Sequence, residues 1–344
     1  MAKKKTMERI ATVVLLCATV LVSALPPNCY AGEAAIKLFV VHGAMNVSAT
    51  PAWIAKGQGF FRKYGFEVDP VFVIGGRAAQ AMIAGQAPFG FIGVTHITNA
   101  LTAGADLKMI LGLTTTLNYV LLARPAIKSA IELRGKKIGI GTPAGPPSLA
   151  AYLALDHAGL HPQRDQIVLL QVGGVPERLS ALQAGGVDAT TVTPALAQTM
   201  IASGYNVLLD IAKANIAFYS SGLVTSARTI RSNIAQVENM AKAIIEATVY
   251  IHNPANKKIV GQTLAKHLRL DKPDLVEKTY QELLTEVPRK PCPRYEGAAS
   301  ALKLMAQYAL NPKAAQLRPE DVVDTTVCKK LDDSGFIDAV LRNQ

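Results

Sequence analysis

The chain has 344 residues, of which 50% are hydrophobic and 18% charged, and its net charge is +11. This composition excludes a disordered or fibrous protein, and a chain of this length is expected to form two lobes rather than one core. The Lys and Arg residues are scattered and form no basic stripe with interleaved aromatic residues, which argues against nucleic-acid binding.

The N-terminus has the pattern of a secretory signal peptide. Basic residues at positions 3–9 precede the apolar run Ala11–Leu25 and a small-residue site at Cys29–Ala31. The run is shorter than the ~20 residues of a membrane span, although an uncleaved N-terminal anchor stays open. We expect cleavage after Ala31. The leader holds four Lys or Arg and one Glu, so the exported chain, which we expect not to span a membrane, keeps a net charge of +8.

The sequence offers no recognisable catalytic or metal-binding motif. The six histidines lack metal-ligand spacing, neither GxSxG nor GxxxxGK[ST] occurs, and the acidic residues are spread over predicted helix surfaces. Only Cys292 and Cys328 follow the leader, and in an oxidising compartment they could form one disulfide. We therefore predict no catalytic residue, no metal and no cofactor.

Strand and helix patterns alternate along the first half of the chain after the leader, which indicates the α/β class with mostly parallel sheets. Strands are predicted at Ile36–Val41, Glu67–Ile74, Phe89–Val94, Asn118–Ala123 and Lys136–Ile140, and helices at Pro51–Tyr64, Arg77–Ala84, Ile97–Ala103 and Ser148–Ala158. The pattern then changes to long helices, predicted at Ile234–Ile251, Lys257–His267, Pro273–Thr285 and Gly297–Leu310.

An internal echo also occurs. Ala81–Gly104 and Ala181–Gly204 align without gaps, with a helix ending at Ala-Gly, a buried strand, a small-residue turn and a second helix ending at Gly in each. The few identities could arise by chance in an Ala- and Gly-rich alignment, but the shared order of features favours two similar α/β lobes.

Turns rich in small residues follow the predicted strands. Ligands of open α/β sheets bind beyond the carboxyl ends of the strands, and helix N-termini there suit anions. Plain turn chemistry would explain each turn taken alone, so their repeated placement is the stronger observation. The turns are His42–Ser48, Gly76–Arg77, Gly93–Thr95, Thr142–Ser148, Gly174–Glu177 and Thr193.

Arg77 and Trp53 allow two interpretations each. Arg77 opens a predicted helix after a Gly-Gly turn, where it opposes the helix dipole, so it either points into solvent or pairs with an anionic ligand. Trp53, the only tryptophan, either packs between the first strand and its helix or stacks on a ligand at the rim of a cleft.

The order of these features resembles the substrate-binding proteins of ABC importers, and in particular the SsuA/THI5/NMT1-like family. The resemblance is carried by PAWIAKGQGFFRKYGFEV, GGRAAQAMIAG and FIGV, and further by KKIGIGTPAGPPSLAAYLAL and LSALQAGGVDATTVTPALAQTMIASG. It covers roughly residues 36–254. The chain departs from the family pattern at Arg77 and at Val94-Thr95, and both departures alter the pocket.

The resemblance implies a two-lobed periplasmic-binding-protein type II fold, with a ligand cleft between lobes of mixed, mostly parallel sheets flanked by helices. Crossing strands near Asn118–Ala123 and Phe218–Val224 would form the hinge. The implied domains are a signal peptide (1–31), the first part of lobe one (32–124), lobe two (125–217), and a hinge return with C-terminal helices of lobe one (218–344).

The resemblance further implies a periplasmic, monomeric binding protein that passes a small molecule to an ABC permease with its ATPase. The solute would be anionic, such as a sulfonate, nitrate or carboxylate, or pyrimidine-like. A pyrimidine-synthase-like enzyme and a sensory binding module stay open, although the cysteine-rich motif of the synthases is missing. The candidate ligand-binding residues are Met45, Asn46, Trp53, Gly76, Arg77, Gly93, Thr95, Asn118, Thr142, Ser148, Gly174, Thr193 and Tyr219.

Overall fold

The computed structural model describes residues 35–73 and 76–342. The predicted leader lies outside these residues. From Lys37 onward the described residues form one compact unit. No helix in the described part of the chain combines the length and the hydrophobicity needed to cross a membrane.

The first sheet has five strands in the order β2-β1-β3-β10-β4. β1 and β3 are parallel, whereas β10 runs antiparallel to both of its neighbours. The strands are β1 (Ile36–His42), β2 (Phe66–Phe72), β3 (Phe89–Ile92), β4 (Leu107–Thr114) and β10 (Ser221–Ser226). The helices along this part of the chain are α1 (Thr50–Gly57), α2 (Phe60–Lys63), α3 (Gly76–Ile83) and α4 (Val94–Thr102).

The second sheet repeats this arrangement in the order β7-β6-β8-β5-β9. β6 is parallel to β7 and β8, and β5 runs antiparallel to β8 and β9. The elements are β5 (Val120–Ala123), β6 (Lys137–Ile140), α5 (Pro146–His157), β7 (Val168–Gln171), α6 (Val175–Gln183), β8 (Ala189–Val192), α7 (Pro194–Ile201) and β9 (Asn206–Asp210).

We call the first sheet with its helices the first lobe, and the second sheet with its helices the second lobe. The chain passes between them twice, through two linking segments, Thr115–Tyr119 and Ala217–Ser220. The predicted class of two mixed sheets flanked by helices is thereby confirmed, although antiparallel pairings are as prominent as parallel ones in both sheets. β5 precedes the predicted lobe boundary at residue 124 yet pairs in the second sheet; the boundaries themselves stay a prediction.

The internal echo corresponds to equivalent elements of the two lobes. α3, β3 and α4 in the first lobe match α6, β8 and α7 in the second. Gly85 and Gly185 both follow a helix with positive φ (73° and 77°), as do Gly104 and Gly204 (90° and 86°). Glycine adopts this left-handed conformation without a steric penalty, so the four matched glycines end equivalent helices.

The chain after β10 is helical and returns to the first lobe. Helix α9 packs on α1, α12 on α4, and α14 on β4. The helices are α8 (Ala227–Ser232), α9 (Ile234–His252), α10 (Lys257–Leu268), α11 (Pro273–Glu286), α12 (Tyr295–Gln307), α13 (Pro319–Val322), α14 (Thr326–Asp333) and α15 (Phe336–Arg342). A disulfide joins Cys292 to Cys328, with the two Cα atoms 5.3 Å apart, and so ties the segment after α11 to α14.

One local prediction is wrong, and the strands β4, β7 and β9 were not predicted. The helix predicted over Pro51–Tyr64 is two helices, because Gly59 adopts a left-handed conformation (φ 75°) between α1 and α2. Strand β4 was not predicted, although it is almost wholly buried and pairs with β10. Its run of apolar residues lacks the alternation that would distinguish a strand from a buried helix.

Candidate functional site

A cavity of about 630 Å³ lies between the two lobes. Both lobes and both linking segments supply its walls, and two residues of α11 complete it. Its first-lobe wall consists of the turns after β1 and β3, and its second-lobe wall of the turns after β6 and β8. The cavity therefore lies beyond the carboxyl ends of parallel strands, the usual place for a ligand in an open α/β sheet.

The turn after β1 is held by its own side chains. The Asn46 Oδ1 atom accepts hydrogen bonds from the Ser48 backbone N–H (3.1 Å) and the Ser48 hydroxyl (2.6 Å). Behind it, the His42 Nδ1 atom bonds to the Ala44 carbonyl (2.9 Å), and burial lowers the pKa of this histidine. Asn46 and Ser48 thus present polar edges to the cavity from a fixed loop.

The turn after β3 is bound directly to the second linking segment. The Val94 N–H, at the first position of α4, donates to the Tyr219 carbonyl (3.0 Å). A Cβ atom on Gly93 would come within 2.6 Å of the Ser220 carbonyl oxygen, so only glycine fits this close approach. His96 lines the cavity beside Thr95, and burial lowers its pKa, which keeps the imidazole neutral.

Tyr219 is positioned by two glycines. Cβ atoms added to Gly112 and Gly297 would meet its ring at 2.5 Å and 2.7 Å. Its hydroxyl accepts a hydrogen bond from the Arg294 backbone N–H (2.5 Å). The ring is therefore held on opposite sides and at its tip, and it forms a rigid part of the cavity wall.

Two hydroxyls in the cavity wall lack partners. Among the described residues, the buried Oγ1 atom of Thr116 and the buried Oγ atom of Ser221 have no hydrogen-bond partner. Ser221 is only 4% exposed. Buried polar atoms are nearly always paired, so each of these hydroxyls needs an explanation.

The second-lobe wall is the turn between β6 and α5. The Gly145 N–H donates to the Thr142 carbonyl (2.9 Å), and the Gly145 carbonyl accepts from the Ser148 and Leu149 N–H groups (both 3.0 Å). Thr193, at the start of α7, lies on the same wall.

Beneath this wall, Arg178 is 2% exposed. Its guanidinium donates to the Gly173 carbonyl (2.9 Å), the Thr190 hydroxyl (3.2 Å) and the Thr191 carbonyl (3.2 Å), and it does not line the cavity.

Helix α11 brings two carboxylates to the cavity. Glu282 and Glu286 are four residues apart and so share a helix face. Burial raises the pKa of both carboxyl groups, and the neighbouring Glu282 charge adds to the effect on Glu286, whose pKa rises to about 8. The Asn118 side chain acts in the opposite direction and lowers the pKa of Glu286. Because the pKa stays at about 8, Glu286 holds a proton at neutral pH.

These two glutamates could not be recognised from the sequence, because the acidic residues are spread over predicted helix surfaces. Only the fold brings the end of α11 to the turn after β1, where it packs against the short 3₁₀ helix Val47–Ala49. The one sequence feature that could have indicated them is the spacing of like charges at the C-terminal end of a helix, which is unfavourable in isolation.

Seven of the candidate residues come together at the cavity, and six do not. Those that line it are Asn46, Gly93, Thr95, Asn118, Thr142, Thr193 and Tyr219. Those outside its lining are Met45, Trp53, Gly76, Arg77, Ser148 and Gly174. Ser148 is fully buried below the β6–α5 turn, whereas Met45, Gly76, Arg77 and Gly174 are exposed.

Trp53 is a packing residue in the structure. It is 5% exposed, and its ring stacks on His267 with the ring centres 4.5 Å apart and the planes 7° from parallel. The His42 ring meets its edge at 5.8 Å. The tryptophan thus joins α1 to α10 behind the cavity wall, as the packing interpretation of the sequence has it.

The described residues contain no group of three or more His, Cys, Asp or Glu side chains that could hold a metal ion. Glu282 and Glu286 are the two carboxylates within the cavity lining.

Comparison with known proteins agrees with this architecture. The family model described as NMT1/THI5 like matches residues 46–257. No curated protein sequence matches the chain.

Among solved structures, the periplasmic aliphatic sulphonate binding protein SsuA from Escherichia coli is similar with a TM-score of 0.64 and 20% identity, over 83% of this chain and 98% of that one. The alkanesulfonate-binding protein SsuA from Xanthomonas axonopodis pv. citri, bound to MOPS, has a TM-score of 0.59 and 19% identity, over 85% and 99%. The periplasmic nitrate-binding protein NrtA from Synechocystis PCC 6803 has a TM-score of 0.57 and 13% identity, over 88% and 89%. The chain thus has the fold of periplasmic solute-binding proteins of ABC importers.

Proposed function

The chain belongs to the NMT1/THI5-like family, and on that premise we propose that it is an extracytoplasmic solute-binding protein that delivers a small molecule to an ABC importer. The observation that carries this proposal is the cavity, whose walls come from both lobes and from both linking segments. A solute that contacts both lobes favours the closed arrangement, and closure is then a shift of population toward the liganded shape.

Location and partners follow from the same proposal. The predicted leader would carry the chain to the periplasm, and the Cys292–Cys328 disulfide suits that oxidising compartment. There the protein would act as a monomer and present its closed form to a permease with its ATPase. The seven candidate residues in the cavity lining would contact the solute.

The structure bears on the two solute classes predicted from the sequence. One basis for the anionic class was Arg77, which is exposed and outside the cavity lining, whereas the helix N-termini at Gly93–Thr95 and Thr193 do line the cavity. Among the described residues, the lining contains Glu282 and Glu286 and no Lys or Arg. This charge favours a solute that is not an anion.

The test is a thermal-shift screen of the purified protein against sulfonates, nitrate, carboxylates, pyrimidines and organic amines. A solute at one hundred times its Kd stabilises the native state by about 2.7 kcal/mol, which raises the Tm by several degrees. Small-angle scattering should then show a smaller radius of gyration with that solute. Mass spectrometry should recover the solute unchanged, whereas its conversion would favour the synthase alternative.

Ala144→Trp tests whether the solute binds in the cavity, with Ala84→Trp as its matched control. Ala144 is exposed on the β6–α5 turn and lines the cavity, so a tryptophan there should fill the cavity without disturbing the core. Ala84→Trp makes the same change at an exposed position outside the cavity lining. Stabilisation should disappear in the first variant and persist in the second. A solute that stabilises both variants equally binds elsewhere and contradicts the proposal.

A further inference from the structure

We propose that the cavity takes an organic cation with N–H groups, such as an ammonium or amidinium, and that Glu282 and Glu286 bind this group. The inference rests on the proposed function, since it names the solute class for the same cavity. It departs from the sulfonate and nitrate ligands named for the similar structures, because those anions would meet two carboxylates in this chain.

The charged side chains in the described lining of the cavity are both acidic. None of the ion pairs among the described residues includes Glu282 or Glu286. The charges of Arg178, Glu282 and Glu286 all affect the pKa of the Tyr119 hydroxyl. The Arg178 guanidinium nevertheless hydrogen-bonds to three neutral oxygens of the second lobe. The acidic pair therefore faces the cavity without a Lys or Arg beside it among the described residues of the lining.

The position of the pair disfavours two ionised carboxylates in two ways. The side chains lie one helical turn apart, and Glu286 is the last residue of α11, where the helix dipole disfavours negative charge. Glu277 on the same helix is instead exposed and paired with Lys257 (2.9 Å). A bound cation would oppose both effects.

Aromatic rings supply the rest of the recognition. Phe91, Tyr119, Phe218 and Tyr219 line the same cavity. Ring faces attract cations as well as flat apolar bodies. The lining is thus suited to a solute with a flat or apolar body and one charged nitrogen group.

The experiment uses three probes of nearly equal shape and different charge: benzamidine, benzamide and benzenesulfonate. Their binding to the purified protein is measured by calorimetry at pH 7.5, and Tm shifts are recorded in parallel. We expect benzamidine to bind at least tenfold more tightly than benzamide, since a charged hydrogen-bonded group should gain about that factor over a neutral one. Benzenesulfonate should not bind measurably.

Glu282→Gln and Glu286→Gln should each weaken benzamidine binding roughly tenfold, because each keeps the side-chain shape and removes a charge. Glu277→Gln is the matched control on the same helix and should bind as the wild type does. Calorimetry in buffers of different ionisation enthalpy should also show proton release on binding, because a cation displaces the proton held by the pair.

Three outcomes would overturn the inference. They are tighter binding of benzenesulfonate than of benzamidine, unchanged benzamidine binding in both Gln variants, and the absence of a shift with any of the three probes. Calcium or zinc chloride giving a larger shift than benzamidine would replace the organic cation with a metal ion and so also reject it. The proposed function has its own test, since a solute whose effect is lost in Ala144→Trp supports binding whatever its charge.

Discussion

The two lobes share a strand order but differ at the turn that starts the helix after their third strand. In the first lobe the sequence is Gly93-Val94, and the Val94 N–H donates to the Tyr219 carbonyl (3.0 Å). In the second lobe the matching pair is Thr193-Pro194, and proline has no N–H to donate. The carbonyl that matches Tyr219 in strand register, that of Leu117, instead accepts from the Tyr119 N–H (2.9 Å).

This difference indicates that the two lobes have different roles in binding the solute. The turn after β3 is fixed to a linking segment, and the same lobe carries α11 with its two glutamates. The turn after β8 lacks that bond and offers neutral groups to the cavity. We therefore expect the first lobe to act as the platform on which the charged recognition group is built, and the second lobe to close over it.

The largest expected effect concerns the disulfide, which joins segments of the first lobe only. Replacing both cysteines, in Cys292→Ser/Cys328→Ser, opens a loop of 36 residues. Loop entropy predicts a loss of about 3–4 kcal/mol in the free energy of unfolding. Urea denaturation measures this loss.

Hydrogen exchange tests whether the loss stays within one lobe. Protection should fall in β4 and α12 of the first lobe and stay unchanged in β8 and α7 of the second. Equal losses in both lobes would show that the lobes unfold together and would contradict the expected difference between them.

The next effect tests the close approach at Gly93. Gly93→Ala places a Cβ atom 2.6 Å from the Ser220 carbonyl oxygen, and relief of this overlap should cost about 1–3 kcal/mol of stability. Thr193→Ala is the matched change in the second lobe. The Thr193 side chain makes no capping hydrogen bond, so this variant should stay within about 0.5 kcal/mol of the wild type. Similar values for both variants would contradict the asymmetry of the turns.

The pH dependence of stability tests the platform. The pKa of Glu286 is raised to about 8 in the folded protein from 4.5. The unfolded chain therefore loses its proton first, and stability that is complete below pH 4.5 is lost as the pH rises through about 8.

Glu286→Gln removes this dependence, since glutamine stays neutral. The variant should gain on the wild type as the pH rises from 5 to 9, by on the order of 1 kcal/mol after allowance for coupling to Glu282. Thermal melts across that range provide the measurement, with Glu277→Gln as the control that keeps the wild-type slope. A Glu286→Gln curve parallel to that of the wild type would place an ionised Glu286 in the empty protein at neutral pH.

The smallest effect is expected at Arg77. It is exposed on α3 and outside the cavity lining, so Arg77→Ala should change the free energy of unfolding by less than about 0.5 kcal/mol. Benzamidine affinity should also be unchanged, in contrast to Glu282→Gln. A loss of solute binding in Arg77→Ala would indicate that this arginine contacts the solute and would favour an anionic solute.

Much of the fold could be predicted from the sequence because its determinants are local. The alternation of strand and helix patterns and the echo at matched glycines such as Gly85 and Gly185 both depend on neighbouring residues. Strand β4 was missed for the converse reason. It is buried along most of its length, so its composition carries no period, and only its pairing with β10 defines it as a strand.

The site was predictable only where it consists of turns after strands. Asn46, Gly93 and Thr142 were identified because the ends of parallel strands meet at one edge of a sheet. Glu282 and Glu286 lie more than 150 residues after Gly93 in the chain. They reach the cavity only through the packing of α11. The charge of the cavity, and with it the class of solute, is a property of that tertiary contact.

The two sheets also differ in when they can be completed. Strands β5 to β9 are consecutive in the chain. β4 instead pairs with β10, which follows the whole second lobe in the sequence. A chain that emerges N-terminus first can therefore finish the second sheet while Leu107–Thr114 is still an unpaired apolar edge. Such an edge is prone to aggregation until it is covered. This stretch is where a chaperone would do most to protect the newly made protein.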